Sequence, residues 1–285
     1  MKSVTPPRDP MPVITVIVSV YNGVETLQQC IDSVCTQTYA RRELIVIDGG
    51  STDGSAELIK ANSGALAYWI SEPDTGIYSA WNKGLAKARG DWICFIGSDD
   101  FLWSHDVLQR MASGLAQTSA SVNVAYGQIM LLNQSGDELF RMGAPWEQVK
   151  TRFKQLMSLP HPAVMHRKSL FAQHGKFDES YRIAGDYEML LRELAANDAI
   201  FLPDVIVTGM RQGGISSNPG NNVQALREVR AAQRKNGLQS SGWLWRLTMA
   251  RACISLILSK VLGEKNTRIL LNAVRRIIAV SNKSK

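Results

Sequence analysis

Apolar residues in the first hundred positions come in short dense runs, separated by stretches of helical periodicity. Residues 13–20 are almost wholly apolar and β-branched, which predicts a strand covered on both faces. Runs at 44–47, 67–70 and 92–96 predict three more strands. Stretches at 25–36, 55–62, 77–88 and 106–117 predict a helix after each strand. Strands alternating with helices of this length predict crossover units and a mostly parallel sheet. That rhythm stops near residue 120. Runs at 122–132 and 138–142 flank Asn133-Gln134-Ser135-Gly136-Asp137, a predicted hairpin. Later strands at 163–166 and 200–207 enclose a helix at 186–197. The fold class expected is α/β.

Polar residues directly after the apolar runs are the candidate chemistry, because open α/β sheets bind ligands at the carboxyl ends of their strands. The first run ends in Ser19-Val20-Tyr21-Asn22-Gly23 and the second in Asp48-Gly49-Gly50-Ser51-Thr52-Asp53-Gly54. Glu72-Pro73-Asp74-Thr75-Gly76 leads into the helix carrying Tyr78, Asn82 and Lys83, and the fourth run ends in Gly97-Ser98-Asp99-Asp100. Two adjacent acids repel each other unless a proton or cation compensates. A divalent cation carrying a diphosphate meets that need through oxygen ligands; a helix cap is the structural alternative for Asp100. Neither Gly-x-Gly-x-x-Gly nor Gly-x-x-x-x-Gly-Lys-Ser/Thr occurs, which disfavours a nicotinamide dehydrogenase and a P-loop nucleotidase.

Taken in this order, the four blocks resemble the family-two glycosyltransferases of the GT-A fold, especially bacterial members that build exopolysaccharide and O-antigen units. The likeness runs from about residue 12 to about residue 217. It implies a Rossmann-like, mostly parallel sheet flanked by helices. Val20, Tyr21 and Asn22 would then hold the donor's base and ribose, Asp48 would contact the base, and Asp74, Gly76, Asn82 and Ser98 would line the nucleotide. Asp99 matches the second acid of the family's Asp-x-Asp metal motif, with Gly97 in place of the first. Asp99 would be the primary ligand of Mg²⁺ or Mn²⁺, with Asp100 secondary. The resemblance makes Asp186 the base of an inverting transfer; its position also suits an N-cap, and the positive end of a helix favours its ionised form. Glu188 is a weaker candidate for the base. His161 lies in the loop Leu159-Pro160-His161-Pro162, where it could touch the diphosphate or acceptor, or simply pack.

Composition alters the picture only at the C-terminus. The 285 residues carry a net charge of +7, but nine basic residues and a single acid fall after residue 240, and the rest of the chain sums to −1. The charge is therefore no sign of a nucleic-acid partner. Residues 242–262 are apolar, with Trp243 and Trp245, yet are interrupted by Arg246, Arg251 and Lys260. Amphipathic basic helices in the membrane interface fit this pattern better than a spanning helix; a helical hairpin packed on the protein is the competing reading. Cys30, Cys35, Cys94 and Cys253 show no metal-type spacing. Residues 1–11 lack the apolar core of a signal peptide.

The expected organisation is a flexible N-terminus to residue 11, a catalytic domain at 12–217 and basic helices at 218–285. The expected activity is a metal-dependent hexosyl or N-acetylhexosaminyl transfer. The donor would be a nucleotide sugar, UDP-linked by preference, and the acceptor a glycan, polyprenyl-linked, at the cytoplasmic face of the inner membrane. A polyprenyl-phosphate sugar synthase, whose acceptor needs no strong base, and a non-catalytic nucleotide-sugar-binding subunit are the rivals.

Overall fold

The computed structural model of the chain describes residues 11–133, 135–212, 219–238 and 242–263. Its first half follows the hydrophobic rhythm. The order is β1 (Ile14–Val20), α1 (Val24–Cys35), β2 (Arg42–Asp48), α2 (Ser55–Ala61), β3 (Tyr68–Ser71), α3 (Ile77–Leu85), β4 (Trp92–Gly97), a two-residue β5 (Phe101–Leu102) and α4 (Val107–Ala116). Alternate residues of β1 face opposite sides, as the two-residue period of a strand requires. Val16, Val18 and Val20 join a core under α1 and α4 with Leu27, Ile31 and Met111. Ile17 joins the other core with Tyr78, Trp81, Phe95 and Phe177. Burial on both faces explains why this strand reads as a continuous apolar run.

The second half comprises β6 (Val124–Leu132), β7 (Glu138–Met142), α5 (Trp146–Phe153), β8 (Val164–Arg167), α6 (Lys168–His174), α7 (Gly185–Leu194), β9 (Ile200–Arg211), α8 (Pro219–Lys235) and α9 (Gly242–Leu262). One sheet runs β3-β2-β1-β4-β8-β6-β9-β5, with β7 paired to β6 at its side. The β3-β2-β1-β4 half is parallel throughout. Beyond β4 the sheet is mixed: β8 is antiparallel to both β4 and β6, while β9 runs parallel to β6. The expected hairpin forms between β6 and β7. Short helices α5 and α6 and the two-residue β5 give too little periodicity to be read from sequence alone.

Helices α8 and α9 do not form an independent tail. Val223, Leu226, Val229 and Ala232 of α8 are buried, and Leu244, Trp245, Met249 and Ala252 of α9 pack against the core that holds α3 and α7. The Trp245 indole donates to the Leu226 carbonyl at 2.8 Å. Among the described residues no helix is long and apolar enough to cross a membrane. Residues 1–10 of the expected N-terminal arm, residues 213–217 and the basic residues after Gly263 lie outside the described residues.

Candidate active site

Strand register places the candidate residues in one row. Val20 lies beside Asp48, Asp48 beside Ser71, and Ser19 beside Gly97. The parallel strands thus end together, and the turns leaving them share one edge of the sheet, the ligand edge of open α/β folds.

Two of these turns are laced together. The Asn22 side-chain oxygen accepts from Thr52 N–H at 2.9 Å, and Asn22 N–H donates to the Ser51 hydroxyl at 2.7 Å. Asn22 takes a left-handed backbone conformation, φ 51°, which Asn tolerates better than most residues. Asp53 accepts from Val24 N–H at the start of α1 and from the N–H and hydroxyl of Ser55, which make it a structural clamp. Gly23 is required by proximity: a Cβ there would meet the Ser98 hydroxyl at 2.5 Å. Above this lattice the Tyr21 ring stands 70% exposed, a free flat face at the mouth of the edge.

The other donor-side candidates divide. Asp48 is fully buried and accepts from Ser51 N–H at 3.0 Å, the Ser71 hydroxyl at 2.6 Å and the Ser51 hydroxyl. Of its roughly four acceptor positions one remains, so its visible work is to pin the turn to β3. Asp74 accepts from Gly76 N–H at 2.9 Å and lies against Gly49, where a Cβ would meet its carboxylate at 2.9 Å. Asn82 points elsewhere. Its amide donates to the Phe177 carbonyl and Glu179 and accepts from Phe177 N–H, which anchors the loop before α7. Lys83 pairs with Glu72 at 2.9 Å.

His161 packs beneath the edge, against the Trp81 ring whose indole donates to the Ser19 hydroxyl at 3.2 Å. It is buried, its ring stacked 4.9 Å from that of Trp81, and burial pushes its pKa down to about 3. An imidazole in that setting is neutral at physiological pH, and it serves the aromatic core around Phe95 and Phe177. Its loop position hid this, because the loop turns inward as the one-turn helix His161–Ala163.

At the end of β4, Asp99 is partly exposed and Asp100 buried. Burial and then the neighbouring Asp99 charge hold the Asp100 carboxyl well above the usual carboxylate range. Gly97 gives Asp99 its place, since a Cβ at 97 would meet the Asp99 carboxylate at 2.5 Å. Arg211, at the end of β9, donates to the Asp99 carbonyl at 2.7 Å and lies over the Phe101 ring. Nothing in the local sequence signals that arginine. Among the described residues no group of three His, Cys, Asp or Glu side chains converges on a metal position. The pair of hard carboxylates, one destabilised by the other, is nevertheless the donor set that suits Mg²⁺ or Mn²⁺. Asp99 would then be the accessible ligand, and a diphosphate and water would complete the shell.

Asp186 is the second residue of α7, directly after Gly185. Gly185 is needed there because a Cβ would meet the Tyr78 ring at 2.8 Å. The Tyr78 hydroxyl donates to Asp186 Oδ1 at 3.3 Å, and Tyr187 N–H donates to the same oxygen at 2.8 Å. Tyr78 therefore ties the helix after Gly76 to Asp186, a link that sequence reading missed across a separation of 108 residues. Burial pushes the Asp186 pKa up to about 6, against the lowering effect of its hydrogen bonds. The helix end alone predicts an acid favoured as the ion; desolvation outweighs it here. Such a carboxylate is still ionised at neutral pH and is more basic than an ordinary one, the combination a general base needs. Glu188 is unlike it: fully buried and paired with Arg192 and with Lys235, the latter at 3.0 Å.

A half-parallel sheet with turns, an acid pair and a poised carboxylate beside its carboxyl edge defines a mixed α/β architecture of the glycosyltransferase GT-A type. Residues 15–174 match the glycosyl transferase family 2 domain, and the chain belongs to that family and is a glycosyltransferase. It is 29% identical over 212 residues to a PGL/p-HBAD biosynthesis glycosyltransferase of Mycobacterium tuberculosis, covering 72% of this chain and 80% of the relative. The fold is similar to that of S. aureus TarS 1-349, solved in complex with UDP-GlcNAc, with a TM-score of 0.61, 17% identity, and coverage of 84% of this chain and 71% of TarS 1-349. It is also similar to the Pyrobaculum calidifontis mannosyltransferase PcManGT, solved with GDP-Man and Mn²⁺, with a TM-score of 0.59, 17% identity, and coverage of 96% of this chain and 83% of the other.

Proposed function

We propose that this glycosyltransferase transfers a hexosyl or N-acetylhexosaminyl group, with inversion, from a nucleotide sugar to a lipid-linked surface glycan. The observation that carries the reading is the Asp186 carboxylate, hydrogen-bonded by Tyr78 and pushed up to about 6. It takes the proton of the acceptor hydroxyl as that oxygen bonds to the anomeric carbon, and the bond from that carbon to the diphosphate breaks. Nucleoside diphosphate leaves on the opposite face. Tyr21 offers its exposed ring to the base, as a stacking surface. Asp48 would reach the base, uracil by preference, through its one remaining acceptor position. Val20, Asn22, Asp74, Gly76 and Ser98 shape the donor edge; Asn82 acts on it indirectly, through α3. Asp99 would hold Mg²⁺ or Mn²⁺ with Asp100 behind it, and a cation bound there neutralises charge on the leaving diphosphate. The test is transfer by Asp186→Asn. Turnover lost with donor binding retained supports the base, whereas full activity favours a phosphate acceptor.

For the acceptor side, the support is α9. One face of that helix packs on the catalytic core, while Trp243, Leu247, Ile254, Ile257 and Val261 of the other are exposed. Arg246, Arg251 and Lys260 lie on the same exposed side, and the helix carries no acid. An apolar stripe set among basic residues matches an anionic bilayer interface, where a polyprenyl-linked acceptor would be presented on the cytoplasmic face. Because Leu244, Trp245, Met249 and Ala252 belong to the core, the fair test is Ile254→Glu with Ile257→Glu rather than truncation. The intact protein should sediment with phosphatidylglycerol vesicles at low salt and the double variant should not; equal sedimentation removes the membrane reading.

A further inference from the structure

Glu228 is the least expected residue near the base. It sits in α8, far beyond the family match at 15–174, in a helix with no sequence motif. Its carboxylate accepts from three successive backbone N–H groups: Arg182 at 3.2 Å, Ile183 at 2.8 Å and Ala184 at 2.9 Å. These residues form the turn that ends at Ala184, the N-cap of α7, and Asp186 lies two residues on. The N-cap residue Ala184 makes no side-chain cap of its own. A carboxylate on three converging N–H groups at a helix N-terminus is a strong charge-assisted contact. Gln224 Nε2, one turn earlier, donates to Glu228 at 2.9 Å and fixes its rotamer. Further along α8, Gln233 is fully buried and donates to the carbonyls of Lys154 and Gln155 and to the Tyr187 hydroxyl. Both sides of Asp186 along the chain are therefore held by α8.

We infer that Glu228 is a positioning residue for Asp186, so that α8 completes the active site from outside the family domain. This rests on the reading of Asp186 as the base. Glu228 fixes the turn and with it the direction of the Asp186 carboxylate. Its negative charge also makes Asp186 harder to ionise, adding to burial. The other groups that face Asp186 are the Tyr78 hydroxyl from α3 and Tyr187 N–H from its own helix, and both act in the opposite sense. Removing the Glu228 charge must therefore lower the pH at which Asp186 ionises.

The experiment measures kcat, donor KM and the pH dependence of kcat for Glu228→Gln and Glu228→Ala. Asp186→Asn and Lys235→Met are run beside them. Lys235→Met breaks the ion pairs of α8 with Asp178 and Glu188 without touching the 182–184 turn, so it reports general loosening of the helix. Both Glu228 variants should lose about tenfold or more in kcat, the scale expected when a reacting group is displaced slightly. Donor KM should stay in place, and the acid limb of the profile should move to lower pH. Glu228→Gln preserves size, and carries the test if Glu228→Ala fails to fold. An acid limb that stays put overturns the positioning role whatever happens to kcat, and so does an equal displacement in Lys235→Met. Full turnover in Asp186→Asn removes the base and the positioning role together. Turnover lost in Asp186→Asn with an unmoved acid limb in Glu228→Gln removes the positioning role alone.

Discussion

The donor edge and the Asp186 corner lie at one end of the same molecule but are built in opposite ways. At the donor edge, every functional turn leaves a parallel strand. In the first two turns the partners sit within some thirty residues, as with Asn22 and Thr52 or Asp48 and Ser71, and the Asp99 turn draws a distant partner, Arg211. The geometry there follows from the strands ending in register. The Asp186 corner is assembled from three distant stretches: α3 through Tyr78, α7 itself and α8 through Glu228. An edge made of local turns tolerates divergence elsewhere in the chain. A corner made of long-range contacts ties Asp186 to segments that no motif marks.

The largest effect should come from Asp99→Asn, which breaks the donor edge at its most charged point. Transfer should be abolished and Mn²⁺-dependent binding of nucleoside diphosphate weakened, with the thermal transition retained. Isothermal titration with and without EDTA reads this, and full activity in EDTA would end the metal assignment. Asp186→Asn should cost at least about 10²-fold in turnover, the lower end of what a general base supplies, while donor affinity stays. If donor affinity falls equally, the donor edge and the Asp186 corner act as one site rather than two.

A smaller effect separates Asn82 from the donor. Asn82→Ala leaves the Phe177 N–H and carbonyl without partners, which should cost about 1–3 kcal/mol by denaturant unfolding, and donor KM should barely move. A large rise in donor KM at unchanged stability would return Asn82 to the donor edge.

The smallest effect is a pH dependence. The folded state raises the Asp186 pKa from 3.8 to about 6. Its contribution to stability is therefore present below pH 4 and lost as pH rises through 6. Asp186→Asn has no such loss, so its melting temperature should match the parent at pH 4 and exceed it at pH 8. A variant less stable than the parent at pH 8 would mean that the carboxylate is stabilised by the helix end after all.

Much of the first half was determined by the sequence itself. Short β-branched runs bounded by turn residues read as strands buried on both faces, and their ends put Asp48, Asp74 and Asp99 beside one edge of the sheet on the strength of local pattern alone. The hairpin at 133–137 was legible for the same local reason, since turn chemistry acts over a few residues. The tertiary structure alone decided which polar side chains face the cleft. Asn82 and His161 sit in blocks that resemble functional motifs, yet long-range packing turns one toward Phe177 and the other into the ring cluster of Trp81 and Phe95. The environment of Asp186 was equally hidden. A helix start predicts a stabilised anion from sequence, but desolvation depends on what packs around it, and the side chain that reaches the carboxylate, Tyr78, comes from α3. Periodicity reports which residues share a face of one element; it carries nothing about which other element that face will meet.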